Sequence, residues 1–149
     1  MRSKETSCRL PSIPRIGTGK LLLLDTHIVI WLAETPELLS ASASAAIDQE
    51  QVSGVLAISD MTLLEVARLI ARGRIEVRTS LANFLQQLER NFRILPVTSA
   101  IAERAMSFSS QYPRDPVDRV VGATTLVHGC RLVTKDEAIR ATGEVNCVW

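Results

Sequence analysis

The sequence predicts an α/β fold built on a mainly parallel sheet, and three observations predict it. Short apolar runs of strand length recur at 21–24, 55–59, 131–134 and 145–149, several of them continuous, as in strands buried on both faces. Between them lie segments whose apolar residues fall at helical spacing. Acids stand just behind two of the runs, Asp25 after Leu24 and Asp136 after Thr134, where an open parallel sheet presents its carboxyl edge.

The elements follow in order. Leu21-Leu22-Leu23-Leu24 is a buried strand ending at Asp25-Thr26-His27, and Ile28 to Ala33 form a short helix. Ser40-Ala41-Ser42 opens a second helix, which runs to about Gln51. Val55 to Ser59 is the next strand. A helix follows from about Met61 to Arg72, capped by Ser59 or Asp60 and stopped by Gly73. Leu81, Phe84, Leu85, Leu88 and Phe92 share helical spacing, as do Ile101, Ala105 and Phe108, with Ile94-Leu95 as a minor strand between them. Asp115-Pro116 reads as a helix start, Asp capping and Pro in the first turn. Val117, Val120, Val121, Thr124 and Val127 line one face of that helix, and His128-Gly129 ends it. A strand at Arg131 to Thr134, a short helix at Asp136 to Ala141 and a last strand at Val145 to Trp149 complete the chain. Strands alternating with helices imply crossover units and a parallel sheet.

Composition narrows the function classes. At 149 residues, 46% hydrophobic and 22% charged, the chain is long enough to bury a core as one domain, which rules out wholesale disorder. The longest apolar stretch, Leu21 to Leu32, is interrupted by Asp25, Thr26 and His27 and falls short of the roughly 20 residues of a membrane span. Cys8, Cys130 and Cys147 are odd in number and far apart, giving neither a disulfide framework nor a zinc spacing; the expected location is the reducing cytoplasm. No apolar segment follows the basic N-terminus, so a secretory signal is not expected. Net charge is +1 but uneven: residues 1–20 carry +4 and the remainder −3. Residues 1–19 are expected to be a basic, disordered arm that could touch a polyanion, and residues 20–149 a single domain.

Four acids fall where such a sheet places ligands: Asp25, Glu65, Asp118 and Asp136. Converging carboxylates repel one another, and a divalent cation removes that repulsion. Hard oxygen donors without a Cys or His cluster favour Mg²⁺ or Mn²⁺ over zinc. Such an ion can activate water for attack on a phosphodiester. Each acid also has a structural explanation. Asp25 and Asp136 could cap the helices behind them, Glu65 could pair with Arg68, and Asp118 could answer the dipole of its helix. For Asp115, the capping role is the stronger reading. His27 reads as a packing residue at a helix start rather than a general base. Arg68, Arg72, Arg74 and Arg78 read first as a solvated helix end, with contacts to RNA phosphates as the alternative.

Leu22-Leu23-Leu24-Asp25-Thr26-His27, Thr62-Leu63-Leu64-Glu65, Asp115-Pro116-Val117-Asp118-Arg119 and Leu132-Val133-Thr134-Lys135-Asp136 resemble PIN domains, above all the VapC-like toxins of toxin–antitoxin pairs. The resemblance runs from about Leu21 to Trp149. It implies a three-layer α/β/α sandwich with a mainly parallel five-stranded sheet, and a Mg²⁺- or Mn²⁺-dependent ribonuclease. It makes Asp25, Glu65, Asp118 and Asp136 the acidic quartet, with Asp25 and Asp118 as principal metal ligands. Thr134 then stands where the family keeps a hydroxyl near the site, and Thr26 and Arg119 are supporting candidates; Arg119 could equally be solvated or paired with Asp115. An RNA substrate, a cognate antitoxin and a homodimer are implied partners. Gly122 and Thr125 depart from the larger aliphatic residues or Ala usual in the family, which predicts a looser helix, and Asp60 adds an acid near the second strand's end.

Other classes compete. A PIN-like module without activity would act through its partner alone, but a missing acid would be its mark and none is missing. A receiver-type phosphoacceptor needs paired acids at the first strand end, and a phosphatase needs Asp-x-Asp; Thr26 and His27 follow Asp25 instead.

Overall fold

The structure, a computed structural model, describes residues 20–149, so the arm at 1–19 lies outside the described residues. Five strands, β1 (Leu21–Leu24), β2 (Val55–Ser59), β3 (Arg93–Leu95), β4 (Arg131–Val133) and β5 (Cys147–Val148), form one sheet in the order β3-β2-β1-β4-β5. Every pairing is parallel, with Leu22 opposite both Leu56 and Arg131. Chain order runs outward from β1 on one side and from β4 on the other, so the topological switch lies between them. In open sheets this is where ligands bind, beyond the strands' carboxyl ends.

Alternation along the strands builds the layers. Leu22, Leu24, Leu56, Ile58 and Val133 point to one face and join residues of α1 (Thr26–Glu34), α2 (Ala41–Ser53), α3 (Asp60–Ala71) and α4 (Leu81–Asn91). Leu23, Ala57 and Leu132 point to the other, against α5 (Ser99–Ala105), α6 (Pro116–Val127) and α7 (Glu137–Thr142). Both faces are thus covered, which is why the strands read as continuous apolar runs rather than alternating ones. A 3₁₀ turn at Pro36–Leu38 links α1 to α2.

The expected helix starts occur as read. Ser40 Oγ accepts from the Ala43 amide, Ser59 Oγ from Met61, and Asp115 Oδ1 from Val117 and Asp118. Three expectations need correction. The last strand shrinks to Cys147–Val148. The helix carrying Ile101 and Ala105 ends before Phe108, which is buried instead by stacking on Tyr112 with ring centroids 3.9 Å apart. Val127 is exposed, and α6 is buried all round over Val121, Gly122, Ala123, Thr124 and Thr125 rather than along one stripe.

Gly122 does not loosen α6. A β-carbon there would run into the Tyr112 hydroxyl and ring, so glycine is what lets the fully buried tyrosine lie against the helix. Thr124 and Thr125 satisfy their buried hydroxyls by donating to the carbonyls of Val120 and Val121 at 2.7 and 2.9 Å. Asp60 is likewise accounted for: its Oδ2 accepts from the Val97 amide at 3.1 Å and ties down the chain after β3.

Candidate active site

β1 delivers Asp25 to the switch point. Its amide donates to the Val133 carbonyl at 3.0 Å, extending the β1–β4 ladder by one residue, and its extended backbone (φ −70°, ψ 159°) lets it cap α1. The carboxylate is held at both oxygens. Oδ1 accepts from the Thr26 amide and Oδ2 from Thr134 Oγ1, each at 2.8 Å. Asp25 is almost fully buried, and burial pushes its carboxyl above the usual range despite these two hydrogen bonds.

Thr134, fully buried behind β4, also accepts the Asp136 amide on Oγ1 at 3.1 Å. One hydroxyl therefore fixes two acids relative to each other. Asp136 turns Oδ1 toward α7, accepting from Ala138 at 2.8 Å and Ile139 at 3.1 Å, and its other oxygen makes no hydrogen bond among the described residues. Asp118 stands in the first turn of α6. Its carboxyl is pushed up to about 7, chiefly by burial, then by the charges of Asp25, Asp115, Asp136 and Glu65. Glu65, midway along α3, has no ion-pair partner among the described residues, so the pairing with Arg68 does not form.

These side chains share one cleft of about 500 Å³, with Asp25, Glu65, Asp115, Asp118 and Asp136 on its walls. The four candidate acids come from two strand ends, α3 and α6, and the fold brings all of them together. Thr26 lines the same cleft; its Oγ1 is buried and has no hydrogen-bond partner among the described residues. Arg119 does not join them. Its Nε donates to the Pro113 carbonyl at 3.0 Å and its guanidinium to Ala105 at 3.3 Å, bracing the segment before α6 rather than pairing with Asp115. His27 is exposed on the cleft rim, not packed inside.

Sequence reading missed three neighbours. Tyr112 donates its hydroxyl to the Asp118 carbonyl at 3.1 Å and backs α6 where the acid emerges. Lys135 and Trp31 form part of the wall, with the ammonium 5.1 Å from the indole centroid. Lys135 had a signal: it stands between Thr134 and Asp136. Tyr112 and Trp31 had none, because each reaches the site only through tertiary packing.

The donor set is all hard oxygen, with two acids held back from ionising by burial and one another. That suits Mg²⁺ or Mn²⁺, which bind through one or two carboxylates and otherwise keep water. Among the described residues no three His, Cys, Asp or Glu side chains are disposed as a ready cage. Asp25 Oδ1 and Asp136 Oδ1 are also committed to backbone amides. The donor set therefore fits a largely hydrated ion beside Asp25 and Asp118, while the Thr26 hydroxyl is buried without a hydrogen-bond partner among the described residues.

The sequence model of the PIN domain family matches residues 22–145. The chain is 38% identical over 120 residues to Ribonuclease VapC22 of Mycobacterium tuberculosis, covering 80% of this chain and 90% of that one. Among solved structures it is similar to VapC20 of Mycobacterium tuberculosis, a sarcin-ricin loop cleaving toxin (TM-score 0.62, 21% identity, 84% of this chain and 98% of that one). It is also similar to VapBC2 from Rickettsia felis bound to a promoter DNA fragment (TM-score 0.65, 11% identity, 85% and 96%). Their fold is the five-stranded sandwich described above. No helix among the described residues is long and apolar enough to cross a membrane. On its matched span and its likeness to the VapC ribonucleases, this chain belongs to the PIN domain family.

Proposed function

We propose that this protein is an endoribonuclease toxin that depends on Mg²⁺ or Mn²⁺ and hydrolyses RNA phosphodiester bonds in the cytoplasm under the control of a cognate antitoxin. The observation that carries this reading is the convergence of Asp25, Glu65, Asp118 and Asp136 on one cleft at the switch point, where burial and then the charges of the other acids push the Asp118 carboxyl up to about 7. Its support from relatives is the 38% identity to Ribonuclease VapC22 and the likeness to toxin–antitoxin complexes. A homodimer belongs to the same proposal and is testable by sedimentation.

In this reading Asp25 and Asp118 would hold the ion, with Asp136 and Glu65 completing the site directly or through water. The bound ion supplies an activated water and neutralises charge developing on the phosphate. Thr134 fixes Asp25 and Asp136 relative to each other through its one hydroxyl. Tyr112 keeps the first turn of α6, and so Asp118, at the cleft.

The test is cleavage of a mixed RNA pool by the purified chain with Mn²⁺, with Mg²⁺ and with EDTA, beside Asp118→Asn. Cutting is expected with either metal, and none in EDTA or with the variant. RNA left intact in every lane by folded, antitoxin-free protein would instead favour a PIN-like partner-binding module.

A further inference from the structure

Beside the acidic cleft lies a second cavity of about 440 Å³ with the opposite character, lined by Arg68, Arg72 and Arg74 together with His27, Leu69 and Ile75. His27 lines both cavities, so the two adjoin at that side chain. Arg68 and Arg72 stand four residues apart, one above the other on the same face at the end of α3. Arg74 is brought back to them by the helix stop. Gly73 adopts φ +66°, its amide donates to the Ile70 carbonyl at 3.0 Å, and the Arg74 amide donates to Leu69 at 2.9 Å. This is a Schellman turn, which glycine adopts without the strain a side chain would add.

None of these three guanidiniums has a carboxylate partner among the described residues, whereas Arg78 is paired with Glu34 at 3.4 Å. Like charges set side by side without a counter-charge repel each other, and here they border a cleft whose acids repel a phosphate backbone. A polyanion resolves both conflicts. We propose that Arg68, Arg72 and Arg74 form a phosphate-binding subsite for single-stranded RNA, gripping backbone phosphates next to the one presented to the acids. This inference rests on the ribonuclease reading. Guanidiniums suit the role because their forked donors match phosphate oxygens. His27 is the side chain the RNA passes between subsite and cleft. The face that sequence alone read first as a solvated helix end is, on this geometry, part of the substrate path.

The test uses the full chain and a fluorescein-labelled, mixed-sequence single-stranded RNA 12-mer. Binding is followed by anisotropy in EDTA across a salt titration, and cleavage of the same RNA is measured with Mn²⁺. Arg72→Ala/Arg74→Ala is compared with Arg90→Ala/Arg93→Ala, which removes the same charge from two exposed residues elsewhere. Losing two phosphate contacts is expected to lower the log–log salt slope by about 1.4 and weaken binding roughly 10- to 30-fold at 0.1 M salt. In cleavage, KM rises by a similar factor while kcat stays unchanged. The control pair should change neither. Equal losses in both pairs, or none in the first, would overturn the subsite, while metal-dependent cleavage by the unaltered chain would leave the ribonuclease reading standing. Arginine-dependent binding without any cleavage would do the reverse.

Discussion

Replacing Asp118 by Asn removes one of five carboxylates from the cleft while keeping the side chain's shape. The Asp118 carboxylate makes no hydrogen bond among the described residues, so the only attraction lost is that of the α6 dipole, about 0.3–1 kcal/mol at most. Its carboxyl sits at about 7 in the folded chain against an ordinary 3.8. At 1.36 kcal/mol per pH unit this amounts to about 4 kcal/mol held against folding. Asp118 is only partly buried, and screening by water reduces the figure to ~2 kcal/mol. The sign follows from linkage. Below about pH 4 the group is neutral in both folded and unfolded chains, and no cost arises. Between 4 and 7 the unfolded chain releases the proton while the folded one keeps it, so stability falls as pH rises. Above 7 the full cost is present. In EDTA, Asp118→Asn should therefore exceed the unaltered chain by about 2 kcal/mol at pH 8 and by under 1 kcal/mol at pH 5, read from urea midpoints at constant m. Adding Mg²⁺ should close the gap at pH 8, because an ion that binds only the folded state stabilises it and the variant lacks the ligand. A variant less stable than the parent at pH 8 in EDTA would refute the reasoning, as would a difference independent of pH.

Thr134→Val removes the hydroxyl that serves both Asp25 and Asp136, leaving a nearly buried carboxylate short of one donor. A loss of about 1–3 kcal/mol in urea unfolding is expected, with RNA cleavage reduced. Gly122→Ala drives a methyl into Tyr112 and should cost about 1–3 kcal/mol; Tyr112→Phe frees part of that space, so a double-mutant cycle should show favourable coupling. Asp136→Ala forfeits the two hydrogen bonds capping α7 and should destabilise by about 1 kcal/mol in EDTA at pH 8, the opposite sign to Asp118→Asn.

What could be read in the sequence was what local pattern determines. The runs at 21–24 and 55–59 are strands because both faces of a parallel sheet are covered, and that burial leaves an unbroken apolar signal. Asp25 and Asp136 were legible because a strand end is a fixed place in such a fold. The ends of α5 and β5 were not, because hydrogen bonds and packing beyond their own residues decide them. Phe108 keeps helical spacing from Ala105, yet it is buried by stacking on Tyr112, a residue with no periodic signal at all. Gly122 misled for the same reason: its meaning lies in the ring of Tyr112, four residues before α6 begins, not in helix propensity. Arg119 read as an organiser of the acids by adjacency to Asp118, but neighbouring residues on a helix point about 100° apart, and the guanidinium meets carbonyls instead.

Three helix starts meet at the cleft, and they explain how the fold tolerates so much negative charge. Asp25 caps α1, Asp115 caps α6 and Asp136 caps α7, so each of these carboxylates is answered by backbone amides at the positive end of a helix. Asp118 and Glu65 cap nothing. Asp118 receives only the dipole of its own first turn while it bears the charges of Asp25, Asp115, Asp136 and Glu65. The structural and functional explanations of these acids are therefore not rivals. Capping holds three carboxylates in the cleft without a cation, yet burial still pushes Asp25 above the usual carboxyl range, so the uncompensated remainder falls on Asp25 and Asp118 together. A cation shared by these two carboxylates would therefore do most to stabilise the folded chain, and its removal should be felt first at Asp25 and Asp118.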